Sequence, residues 1–122
     1  MLKCVKFAEL PVVDQDRALN FYTEKLGLQV AQDAPYKEGW RWIELAVPGA
    51  QTRILLTQQT GEPKSDTPRL VFIADDVEAT YRKLSARGVE FTKEPSKAPW
   101  NPGQTFAQLR DSEGNGIVIS TS

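Results

Sequence analysis

Three residues recur at one distance along the chain. Asp14, Ala18 and Gly27 are matched by Asp75, Ala79 and Gly88, each 61 residues further on. Around both sets the order is the same: an apolar run, an acidic residue, a helical stretch, a glycine, then more strands. A repeat this long is not a solenoid unit, because two copies are too few to stack into a stable array. It predicts two βαβββ modules within one α+β domain of 122 residues, the first over about 1–60 and the second over about 66–122.

The first copy opens with a strand over residues 3–12, with Pro11 near its end. Asp14 is placed to cap a helix whose apolar face is Ala18, Phe21, Tyr22 and Leu26, and Gly27 to end it. "LQVAQD" reads as a short strand. "GWRWIELAVPG" alternates, with Ile43, Leu45 and Val47 on one side and Trp42, Glu44 and Ala46 on the other, before a Pro48-Gly49 turn. "TRILLTQ" is the next strand, and the polar "QTGEPKSDTP" reads as a linker. In the second copy "RLVFIA" is a strand, and Asp75 is placed to cap a helix, with Glu78 completing a capping box. Val77, Tyr81 and Leu84 form its inner face and Gly88 its end. "VEF" is a short strand and "KEPSKAPWNPG", with three prolines, a loop; "TFAQLRD" and "NGIVIST" are strands joined at "SEGNG". Tyr22 and Tyr81 are expected in the core.

The chain contains no histidine. That excludes Ser-His-Asp and Cys-His catalysis, histidine acid–base chemistry and His-rich metal sites. Cys4 is the single cysteine, so no intrachain disulfide forms, and without a histidine base a catalytic role for it is not expected. A formal net charge of −1 gives no general attraction to nucleic acid or anionic membrane. No run is long and apolar enough to span a bilayer and "MLKCVKFAEL" lacks a signal-peptide core, so a cytoplasmic location is the expectation.

"LPVVDQDRALNFYTEKLGLQV", "RWIELAVPG", "DDVEATYRKLSARGVEF" and "LRDSEGNGIVI" together resemble the vicinal oxygen chelate superfamily, the group of glyoxalases, bleomycin-resistance proteins and extradiol dioxygenases. The resemblance covers nearly the whole chain. It implies paired βαβββ modules around a cup-shaped site, and often a homodimer. It also implies, in metal-dependent members, four inward ligands from four strands, His or Glu and sometimes Gln. Carried over, those positions fall on Phe7, seven residues before Asp14; Leu55, within "RILLT"; Arg69, six residues before Asp75; and Val118, within "GIVIS". Phe, Leu and Val have no donor atoms and Arg repels a cation, so no metal or other cofactor is expected.

If those four side chains face the cup, strand alternation brings others with them. Val5 and Glu9 go with Phe7, Arg53 and Thr57 with Leu55, Val71 and Ile73 with Arg69, and Ser120 with Val118. Trp42, Glu44, Phe106 and Gln108 face the cup, opposite Ile43, Leu45, Ala107 and Leu109. The candidate ligand-binding set is therefore Phe7, Glu9, Trp42, Glu44, Arg53, Leu55, Arg69, Phe106, Gln108 and Val118. An aromatic wall with a few polar groups suits a small molecule, and the expectation is reversible binding of an aromatic or anionic compound, with no bond broken. Three other readings stand beside it. The chain could be a regulatory or structural dimer whose vestigial cup is filled by its own side chains, with Arg69 and Glu44 pairing with each other. The chain could be a lyase or isomerase using Glu44 or Glu9 as a base whose pKa desolvation raises, with Arg69 on an oxyanion. A metal-dependent glyoxalase or dioxygenase is the least favoured. Trp100, in the proline-rich stretch, could close over a ligand, join a dimer contact or pack on the surface.

Overall fold

The computed structural model describes residues 1–61 and 65–122. The chain divides into two compact units, Met1–Glu62 and Pro63–Ser122. The stretch that reads as a linker includes residues 62–64, which lie outside the described residues.

In the first unit, β1 (Phe7–Val12) leads into a helix, then β2 (Gln29–Lys37), β3 (Trp40–Ala46) and β4 (Arg53–Gln58). The sheet order is β1-β4-β3-β2, with β1 and β4 parallel and the other pairs antiparallel. The second unit repeats this with β5 (Pro68–Ile73), α2 (Val77–Ala86), β6 (Phe91–Ala98), β7 (Asn101–Arg110) and β8 (Gly116–Ser120), in the order β5-β8-β7-β6. Each unit is one βαβββ module, and the fold is α+β.

One face of each sheet is apolar because its strands alternate. Leu10, Val12, Ile43 and Leu45 are fully buried, as are Ala18 and Tyr22 of the helix. Buried Gln15 ties that helix to β3, donating from Nε2 to the Arg41 carbonyl at 2.8 Å and accepting from the Arg41 N–H at 3.0 Å. In the second unit Val77 of α2 packs on Ala107 and Ile119, with Phe72 and Phe91 against them. Tyr81 is half-buried, its ring 4.7 Å from that of Phe91 in an edge contact. Val47 lies beyond the end of β3 and is only partly buried.

The two helices differ by one residue. α1 (Gln15–Asn20) is capped by Asp14, whose Oδ1 accepts from Arg17 N at 3.0 Å, and continues as a π-helical turn over Phe21–Lys25. The cap of α2 is Asp76 and not Asp75: its Oδ1 accepts from Ala79 N at 3.0 Å. The expected capping box with Asp75 and Glu78 is therefore not the one formed. The offset between caps is 62, and it falls back to 61 at Gly27 and Gly88, which end the helices at φ 78° and φ 86°. A π turn holds one extra residue within a helix, which accounts for the difference. Ala79, the apparent match of buried Ala18, is accordingly exposed. Replacing Asp76 with Ala is expected to cost about 1 kcal/mol, against a few tenths for Asp75→Ala. Paired chemical denaturation curves decide between them; equal losses would restore Asp75 as the cap.

Three strand boundaries differ from those the sequence pattern predicts. β1 starts at Phe7, where its ladder with Arg53 begins, so residues 3–6 lie outside it and exposed Val5 belongs to neither face. β2 runs on to Lys37 and turns at Gly39, φ 74°. The proline-rich stretch expected as a loop is mostly a hairpin, β6 to Ala98 and β7 from Asn101, turning at Pro99-Trp100. Pro95 is tolerated because β6 is an edge strand and its ladder slips between Lys93 and Ser96. Pro102 lies where β7 extends past β8.

The turn between β7 and β8 is held by Asp111, only 7% exposed. Its Oδ1 accepts from the N–H groups of Glu113 and Asn115, both at 2.8 Å, and its Oδ2 from Asn115 Nδ2 at 3.1 Å. Gly114 supplies the positive φ of 80° that the turn needs.

Candidate functional site

The strand register shows which candidate residues share a face. In the first sheet Glu9 pairs with Leu55, and Leu55 with Glu44, making one row across three strands; Phe7 pairs with Arg53 in a second. Trp42, two residues before Glu44, stands on the same side. Phe7, Glu9, Trp42, Glu44, Arg53 and Leu55 thus form one group, on the face opposite Leu10 and Leu45. The second sheet repeats the row: Val71 pairs with Val118, and Val118 with Gln108. Gln108 holds the place of Glu44, and Val118 that of Leu55. Phe106 lies two residues along β7 from Gln108, and Arg69 falls at the register shift between Pro68 and Leu70, with Val71 and Ile73 exposed beyond it. Counted from the true cap, Arg69 is seven residues before Asp76, as Phe7 is before Asp14.

On the first sheet the aromatic rings cluster. Phe7 and Trp42 meet edge-on with centroids 6.0 Å apart, and Tyr36 meets Trp42 at 5.2 Å. Beneath them Glu44, 6% exposed, has both carboxylate oxygens occupied. Arg53 Nη1 donates to Oε1 and Trp42 Nε1 to Oε2, each at 2.8 Å. The bond from Arg53, then that from Trp42, holds the Glu44 carboxyl below its usual range despite burial. This overturns the expectation that desolvation would raise it. A carboxylate so held is a weak base, and its arginine partner is Arg53. A hollow of about 260 Å³ opens beside this group, with Glu9, Trp42 and Leu55 in its lining together with Tyr36 and Trp40.

A larger hollow of about 420 Å³ lies on the second sheet. Phe106 and Val118, almost fully buried, pack with Ala98 as its floor, and Gln108 lines it. Trp100, at the hairpin turn, is 54% exposed and leans on Phe106 with centroids 5.1 Å apart. Its indole N–H donates to Gln104 Oε1 at 2.7 Å, which fixes the ring's orientation. Gln108 Nε2 donates to the Asp66 carbonyl. Tyr36, Lys93 and Lys97 fall outside the set that the sequence pattern picks out, because the prolines of β2 and β6 suggest that those strands end early; Trp40, the first residue of β3, falls outside it as well. Trp40, two residues before Trp42, is marked by the alternation of β3, whereas the ladders of β2 and β6 slip beside Pro35 and Pro95, so simple alternation does not mark Tyr36, Lys93 and Lys97.

The four positions that the resemblance implies for metal ligands fall on Phe7, Leu55, Arg69 and Val118. Three are hydrocarbon side chains and the fourth a guanidinium, so they do not fit a divalent ion. Glu44, beside Leu55, is already committed to Arg53 and Trp42. Among the described residues no group of three or more His, Cys, Asp or Glu is arranged to hold a metal. No helix among them is long and apolar enough to cross a membrane.

Duplicated βαβββ modules with ligand-sized hollows on their sheets define a class of paired-module proteins. The chain belongs to the Glyoxalase/Bleomycin resistance protein/Dioxygenase superfamily, whose model matches residues 5–119. It is 35% identical over 121 residues to the uncharacterized protein YetH of Bacillus subtilis (strain 168), covering 98% of each chain. Among solved structures it resembles a member of this superfamily from Sphaerobacter thermophilus DSM 20745, with TM-score 0.86, 30% identity and coverage of 99% of this chain and 98% of that one. It also resembles TnmS3, an antibiotic binding protein from Streptomyces sp. CB03234, with TM-score 0.84, 32% identity and coverage of 98% and 96%.

Proposed function

We propose that the chain is a metal-independent small-molecule-binding protein that reversibly holds an aromatic or anionic compound. The observation that carries this reading is the hollow on the second sheet, with an apolar floor of Phe106 and Val118 and an oriented tryptophan at its mouth. Rigid aromatic surface with few polar groups favours binding of flat organic molecules. The first sheet offers a second aromatic patch at Phe7, Trp42 and Tyr36. The similarity to TnmS3, an antibiotic binding protein, supports a small-molecule ligand. Arg53, Arg69, Glu9 and Gln108 supply polar contacts in this reading, which also includes a homodimer and a cytoplasmic location.

Calorimetric titration against a panel of aromatic antibiotics and aromatic acids tests it. Saturable binding without turnover is expected, and Trp100→Ala should weaken it about fivefold, or roughly 1 kcal/mol. Absence of binding across the panel, with turnover on adding a divalent metal, would show the reading to be wrong.

A further inference from the structure

The second-sheet hollow has a sign. Lys93 extends the row already described, pairing with Gln108, which pairs with Val118. Its ammonium lies 5.8 Å from the centroid of Phe106, the ring on the hollow's floor. Lys97, on the same strand, also lines the hollow, and among the described lining residues none is acidic. Among the described residues neither lysine forms an ion pair. The arginines differ: Arg41 is held by Asp33 and Asp16, Arg53 by Glu44, and Arg110 by Asp66 and Glu90. Among the described residues the positive charge in the hollow has no acidic partner, and it stands against aromatic surface.

We infer that this hollow takes a flat aromatic compound bearing a negative charge, such as a carboxylate, sulfonate or phenolate, and that Lys93 and Lys97 read the charge. The inference rests on the proposal that this hollow is the ligand site. The ring system lies against Phe106 and Trp100, while the anion meets the ammonium groups at the rim. Both lysines are exposed at that rim, so the charge pairing is a solvated one that added salt screens. A neutral compound of the same shape keeps only the apolar contact. A cationic one meets two like charges.

Two fluorescent probes separate these contributions on the intact chain: 1-anilinonaphthalene-8-sulfonate, and N-phenyl-1-naphthylamine, which has the same ring skeleton without the sulfonate. The sulfonate should bind more tightly to the unaltered protein, and its advantage should shrink as salt is raised. Changing both lysines, Lys93→Gln with Lys97→Gln, should weaken the sulfonate about five- to tenfold and leave the neutral probe within about twofold. Lys93→Arg with Lys97→Arg should retain the preference. Trp100→Ala should weaken both probes alike. Equal affinity of the two probes, or equal loss of both in the glutamine variant, overturns the charge-reading role while leaving the hollow as a binding site. If Trp100→Ala moves neither probe, the hollow is not the site, and both the inference and the proposal beneath it fall.

Discussion

Asp111→Ala is expected to lower the stability of the chain by about 3 kcal/mol, a loss on the scale of emptying a core position. The carboxylate is 7% exposed and satisfies two backbone N–H groups and one side-chain amide of its own turn. Alanine leaves buried donors without acceptors, at about 1–3 kcal/mol for each group stranded. The turn loses its template as well, because Asp111 bends the chain back so that Arg110 of β7 can face Gly116 of β8. Asp111→Asn keeps one acceptor oxygen and should lose about half as much. Urea unfolding of the three proteins measures this. A loss below about 1 kcal/mol for the alanine variant would mean that water replaces the carboxylate, and that the turn does not depend on it.

Glu44→Gln is the second large effect, about 2 kcal/mol near neutral pH. The glutamine can still accept from the Trp42 indole, but the charge-assisted bond from Arg53 is lost. Arg53 is 46% exposed at its side chain, so screening limits the loss. The pH dependence carries the sharper information. The folded Glu44 carboxyl titrates below its ordinary range, so its contribution is fully present above the unfolded pKa of about 4.3. That contribution disappears as the pH falls through the lower folded value. The stability gap between the parent protein and Glu44→Gln should therefore be constant from neutral pH down to about 5 and close below about 4. A gap that stays the same into acid would mean that Glu44 is not bound through its charge. The same measurement bears on catalysis, since a carboxylate held this way is a poor proton acceptor at neutral pH.

The alternation of "RWIEL" and "TFAQL" makes the two faces of each sheet legible in the amino-acid order alone. Burial of every second residue is what the pattern encodes, and Ile43, Leu45, Ala107 and Leu109 are fully buried as that rule requires. The β6–β7 hairpin is hidden because three prolines in eleven residues argue for a loop. An edge strand needs few backbone donors, however, and edge position is a property of the sheet rather than of the segment. Asp75 and Asp76 are adjacent and both suit a cap, so local sequence does not separate them. The π turn before Gly27 is likewise invisible to a 3.6-residue pattern, since Ala18 and Tyr22 fit that period. The partner of Glu44 lies nine residues away on the next strand, and the pairing becomes readable only with the β3–β4 register.

The extra residue in the first helix has a consequence for how the duplicated modules can diverge. Within the span from Asp14 to Gly27 the added length is taken up as a wider turn, and Gly27 still ends the helix as Gly88 does. The ladders on either side keep equivalent rows, Glu9–Leu55–Glu44 in one unit and Val71–Val118–Gln108 in the other. The helix thus acts as a slack segment that absorbs a change in length without passing it to the strands. One copy can lengthen or shorten there while the side chains on its sheet keep their places. The two copies are free to acquire different chemistry, glutamates on the first row and a lysine beside the second, without having to remain the same length.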